Sequence, residues 1–132
     1  MARKRSTTLT EAELLLMDVL WKKGQATVGE IAEALPARLE RAYNTVLTTM
    51  RILEEKGYVR HSKPAQGRAF IYRPRVARAE ATRSAVHELL RRFFDQSHEA
   101  LVLNILQDEE LDERERQRIR ELLDQFDQEA PS

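Results

Sequence analysis

The apolar positions of this chain keep a helical period near both ends and break into two short alternating runs in the middle. Leu14, Met17, Leu20 and Trp21 recur at three- and four-residue steps and predict a first helix with these side chains buried. Thr10 and Glu13 make a capping box at its start, Leu9 is placed to staple onto Leu14, and Gly24 stops it after about Lys23. A second box, Thr27 with Glu30, opens a short helix ending near Leu35 and Pro36. Arg41 to Lys56, closed by Gly57, predicts a third helix with Tyr43, Val46, Met50 and Leu53 as its apolar stripe.

The two β-prone runs are Tyr58-Val59-Arg60-His61 and Phe70-Ile71-Tyr72-Arg73. Pro64 and Gly67 lie between them, so the segment folds back as a hairpin with Lys63 and Arg68 at its tip. Beyond Pro74 the period is helical again. Val86, Leu89, Leu90, Phe93 and Phe94 mark a long helix from about Val76, and Leu101 to Leu106 a short one, apolar nearly all round apart from Asn104. Asp112 with Glu115 caps a last helix carrying Ile119, Leu122, Leu123 and Phe126. The fold class expected is therefore mostly α with a small β-hairpin. A winged helix-turn-helix domain covers residues 9–75 and a C-terminal helical dimerisation lobe residues 76–128, flanked by a disordered basic arm (1–8) and a disordered tail (129–132).

The third helix carries a second face. Asn44, Leu47, Thr48 and Arg51 oppose its apolar stripe and are suited to base edges: Asn amides pair with adenine, Arg with guanine, and Thr or Leu packs on a thymine methyl. A merely solvated face would be filled with Glu and Lys, and here acids come only at Glu54 and Glu55. The charge distribution agrees, although the formal net charge is zero. Residues 1–78 hold 15 Lys and Arg against 8 acids, a net of +7, and residues 79–132 hold 7 against 14, a net of −7. One half is built to meet a polyanion and the other to be repelled by it. Arg41 and Tyr43 at the start of the third helix, with Lys63 and Arg68 on the wing, complete the expected DNA-contact set.

A C-terminal lobe of this size hides only roughly 60% of its unfolded surface, so its apolar faces call for a second copy. Leu90, Phe93, Phe94, Leu101, Val102, Ile105, Leu122, Leu123 and Phe126 are the side chains expected at that dimer interface. A two-fold dimer presents two recognition helices and implies a palindromic site on double-stranded DNA.

Other functions find less support. With no cysteine the chain has no disulfide and no thiolate metal site, and His61, His87 and His98 share no ligand spacing, so neither metal nor cofactor is expected. No nucleophile elbow, phosphate-binding loop or zinc-protease motif is present, and the acids of the last helix alternate with Arg114, Arg116, Arg118 and Arg120 as a solvated surface. An enzyme is not expected. Without an apolar signal or spanning stretch, the expected location is the cytoplasm, with no membrane insertion. The alternative is a winged-helix protein-interaction adaptor that does not read DNA. The basic half and the Thr- and Asn-bearing helix argue against it.

The blocks LTEAELLLMDVLW, ATVGEIAEAL, AYNTVLTTMRILEEKGYV, GRAFIYRP and ALVLNILQDEELDERERQRIRELLD, spanning residues 9–124, resemble the penicillinase-repressor family of winged-helix repressors. This is the BlaI and MecI group, with the copper-responsive CopY repressors as cousins. The resemblance implies a homodimer on palindromic operators, with Asn44, Thr45, Leu47, Thr48 and Arg51 facing DNA. Family members often carry Arg where this chain has Ile52, with Arg51 one residue earlier. In the antibiotic-responsive members a membrane sensor metalloprotease triggers a cut after the Asn of a Leu-Val-Leu-Asn segment. Leu101-Val102-Leu103-Asn104 matches that segment, with Ile105 where those members have Phe, which makes Asn104–Ile105 the corresponding bond. Copper-sensing relatives end in a cysteine cluster that this chain lacks.

Overall fold

A computed structural model describes residues 8–36, 42–64, 66–67 and 69–129. Among the described residues the order is α1 (Glu11–Lys23), α2 (Val28–Ala34), α3 (Tyr43–Lys56), β1 (Val59–Ser62), β2 (Ile71–Pro74), α4 (Arg78–Phe93), α5 (His98–Leu106) and α6 (Glu113–Glu129). The chain divides into two compact units, Met1–Glu88 and Leu89–Ser132.

In the first unit, both expected capping boxes form. Thr10 and Thr27 accept from the backbone N–H groups of Glu13 and Glu30, whose carboxylates accept in return. Leu16, Met17 and Leu20 of α1, Ile31 of α2, and Val46, Met50 and Leu53 of α3 close around one core with Val59 and Tyr72 of the hairpin. The stripe of α1 is rotated by one residue from the expected one. Its buried positions are Glu13, Leu16, Met17 and Leu20, while Leu14 is 40% exposed and Trp21 only half-buried. Glu13 tolerates burial because Lys56 Nζ donates to its Oε1 at 2.7 Å and the Thr10 N–H at 2.8 Å. Tyr43, placed on the core stripe of α3 by its spacing, is 54% exposed, since Val46 is the first side chain of that helix buried in the core.

The hairpin is antiparallel, with Val59 opposite Pro74 and His61 opposite Tyr72. A bridge between Ala26 and Tyr72 adds a third short segment at its root. Trp21 Nε1 donates to the Val76 carbonyl at 2.8 Å, Arg78 pairs with Asp18 at 2.7 Å, and Ala81 is buried in the same core. The first turns of α4 therefore pack with the winged helix, although the expected lobe began at residue 76.

In the second unit, Asp95 and Gln96 both take positive φ, turning the chain from α4 into α5, which Ser97 caps. Asp112 caps α6 by accepting from the Glu115 N–H at 2.8 Å. Leu90 is buried, but Phe93 is 69% and Phe126 68% exposed, and Val102, Leu103, Ile105, Leu122 and Leu123 are exposed with them.

Candidate nucleic-acid interface

The local sequence of α3 explains how its outer face is presented. Ala42 precedes the helix in extended conformation with no side-chain cap, so its first N–H groups lack the side-chain acceptor that caps α1 and α2. Val46, Met50 and Leu53, completely buried, fix its rotation about its own axis. Gly57 ends it at φ +90 in the left-handed region, with its N–H donating to the Glu54 carbonyl and that of Tyr58 to Leu53. That double closure turns the chain directly into β1, and only glycine takes this conformation without a steric cost.

The face that remains is made of Tyr43, Asn44, Thr45, Thr48 and Arg51, all exposed, with Ile52 beside them. Leu47, expected on the same face, is half-buried against the core and offers only part of its side chain. Thr48 and Thr49 donate their hydroxyl hydrogens to the carbonyls of Asn44 and Thr45, each at 2.9 Å. Their oxygens keep acceptor capacity, and Thr48 adds a methyl group suited to a thymine.

The wing is fastened to the same helix. His61 on β1 places Nδ1 2.8 Å from both carboxylate oxygens of Glu54 in the last turn of α3. Its ring lies 4.5 Å from that of Phe70 and 5.6 Å from that of Tyr72. Arg73 donates to the Ser62 hydroxyl across the two strands at 2.8 Å. Lys63 is exposed where the hairpin turns, while Arg41 and Arg68 lie outside the described residues. A second fastening holds the same end of α3, where Lys56 Nζ donates to buried Glu13 at 2.7 Å and to the Thr8 carbonyl at 3.2 Å. Burial first, then the charges of Glu13 and Glu80, raises the Tyr58 hydroxyl pKa above its ordinary value. Tyr72 is raised likewise, by burial first and then by Glu54, against a lowering by Arg51.

Sequence reasoning missed these fastenings. Glu54 and His61 stand seven residues apart, and Glu13 and Lys56 forty-three, so no local spacing joins them. A signal existed only for Glu13, an acid among apolar positions that its capping role alone explained. Among the described residues no group of His, Cys, Asp and Glu is arranged to hold a metal, and no helix is long and apolar enough to cross a membrane.

The family model of the penicillinase repressor matches residues 9–125. The penicillinase repressor of Bacillus licheniformis is 27% identical over 122 residues, 92% of this chain and 94% of that protein. The solution structure of the DNA-binding domain of the repressor BlaI is similar at 28% identity and a TM-score of 0.50, over 59% of this chain and 93% of that one. The YusO protein of Bacillus subtilis shares the fold at 23% identity and a TM-score of 0.51, over 92% of this chain and 77% of that one. With a capped three-helix core, an exposed polar face on α3 and a wing tied to it, the chain belongs to the penicillinase repressor family, whose members are DNA-binding transcriptional repressors and not enzymes.

Proposed function

We propose that this protein is a homodimeric repressor in the cytoplasm that binds a palindromic operator in double-stranded DNA. Each copy lays α3 in the major groove, where Asn44, Thr45, Thr48 and Arg51 read bases and Tyr43, Leu47 and Arg41 flank them. The wing, with Lys63 and Arg68, follows the phosphates. The observation that carries this reading is the outer face of α3: short hydrogen-bonding side chains left exposed on a helix whose other side is completely buried. The dimer is supported by the second unit, where α4, α5 and α6 leave Phe93, Val102, Ile105, Leu122, Leu123 and Phe126 exposed to solvent in the single chain. Leu90, Phe94 and Leu101, also assigned to that interface, are buried or half-buried already. Titration of duplex DNA at rising salt tests the reading against a winged-helix adaptor. Affinity falls with a log–log slope of about −0.9 for each phosphate neutralised, whereas an adaptor gives no salt-sensitive binding to titrate.

Repression is relieved, in the same proposal, by a cut at Asn104–Ile105 under control of a membrane sensor metalloprotease. The supporting features are the Leu101-Val102-Leu103-Asn104 segment and the exposure of Asn104 and Ile105 on α5. Severing α5 removes part of the dimer lobe, and losing the linked second site costs about 10²- to 10⁴-fold in effective affinity. Mass spectrometry of the protein recovered from induced cells carries the test: a fragment ending at Asn104 supports the cut, and an intact chain on derepressed DNA contradicts it.

A further inference from the structure

The charge pattern of α6 runs against its own helix. Its last turns carry Glu121, Asp124, Asp127 and Glu129 with no base in the last turn, at the end where the helix dipole is already negative. Its first half carries Arg114, Arg116, Arg118 and Arg120, with Glu113 and Glu115 among them in the first turn. An isolated helix is weakened by this arrangement at its C-terminal end. The apolar stripe between them, Ile119, Leu122, Leu123 and Phe126, stays largely uncovered, with Phe126 68% exposed.

We propose that α6 pairs antiparallel with α6 of a second copy, its arginine half lying along the acidic half of its mate. The inference rests on the homodimer proposed above and specifies which surfaces meet in it. At 3.6 residues per turn, Arg116 and Asp127 border the apolar stripe on the side of Leu123, and Arg118 and Glu129 on the side of Leu122. A two-fold axis passing between Leu122 and Leu123 sets Ile119 opposite the partner's Phe126. An antiparallel two-fold keeps each flank on its own side, so Arg116 faces the partner's Asp127 and Arg118 the partner's Glu129. Each pair is offset by two residues, about 3 Å along the axis, which an arginine side chain spans. Symmetry makes four such pairs. The same arrangement lays each acidic end beside the positive end of the other helix, so the feature that weakens α6 alone supports the pair. A parallel pairing would set like charges side by side. The existing contact of Arg116, to Glu113 at 3.5 Å, is loose, and Glu113 is 93% exposed, so little is lost in exchanging it.

Charge swaps in the full-length protein test this by sedimentation equilibrium at low salt. R116E/R118E makes both halves of the flank acidic, and D127R/E129R makes both basic. Each variant alone is expected to dimerise about 10- to 100-fold more weakly than wild type. An equimolar mixture of the two is expected to form a heterodimer at least as tight as the wild-type dimer. The quadruple variant, which exchanges the charges end for end, is expected to recover homodimerisation, and remains decisive where a double variant fails to fold. A wild-type protein that stays monomeric removes the homodimer itself. A dimeric wild type whose double variants dimerise equally well, or whose mixture and quadruple variant show no recovery, overturns the antiparallel α6 pairing and leaves the dimer to other faces.

Discussion

The two units of this chain are both built from helices with an apolar side, yet they end in opposite conditions. In the first, α1, α2 and α3 meet over Met17, Leu20, Ile31, Val46, Met50 and Leu53, and what is left outside is polar or basic. In the second, Leu90 is buried while the aromatic rings of Phe93 and Phe126 stand in solvent. Three helices and a hairpin suffice to enclose a core when their stripes converge from several sides. The apolar stripes of α5 and α6 and the second half of α4 outrun the surface available to cover them within one chain. The first unit thus closes its core within one chain, and the second leaves large apolar side chains uncovered.

The contrast breaks most sharply at the buried ion pair. Glu13→Ala removes a partner of Lys56 and half of a capping box, and is expected to cost about 3–5 kcal/mol in chemical denaturation of the first unit. Equal stability of variant and wild type would show that α1 and α3 do not depend on that contact. Phe93→Ala is expected to leave the first unit's unfolding unchanged and to weaken self-association by about 3 kcal/mol, read by dilution calorimetry. A loss of fold without a loss of association would place the ring inside one chain. Asn44→Ala and Thr48→Ala are expected to cost about 1–3 kcal/mol on a specific duplex and little on random DNA, measured by fluorescence anisotropy. Equal losses on both duplexes would mean that neither side chain reads a base.

The smallest effect concerns alkaline pH. Burial, then Glu13 and Glu80, raises the folded-state pKa of Tyr58, so the unfolded chain gives up that proton first. The stability this contributes is complete below the ordinary tyrosine value of 10.0 and is lost as pH rises from there through the folded value. Tyr58→Phe should therefore flatten the decline in denaturation free energy as pH rises above the ordinary tyrosine value of 10.0. An unchanged decline would assign it to Tyr72 or to other groups.

Much of this fold is legible in local sequence. The Thr10 and Thr27 boxes, the Gly57 stop and the β-prone runs on either side of Gly67 are short-range signals, and each marks its element within a residue or two. Register against distant neighbours is not legible in that way. The rotation of α1 depends on Lys56, forty-three residues away, accepting Glu13 into the core, which moved Leu14 out. Tyr43 fits the period of α3 but precedes its first buried turn. The polar face of α3 was readable because its residue types are unusual for a solvated helix. The Glu54–His61 clasp that ties the wing to it was not, since neither residue is unusual where it stands.

The most direct test is selection from a pool of random duplexes by the purified full-length protein, with stoichiometry read on the recovered DNA. The expected result is an inverted repeat, its half-sites about one helical turn or a multiple of it apart, bound by two chains. Recovery of no common sequence, or of an asymmetric site held by a single chain, would contradict the account.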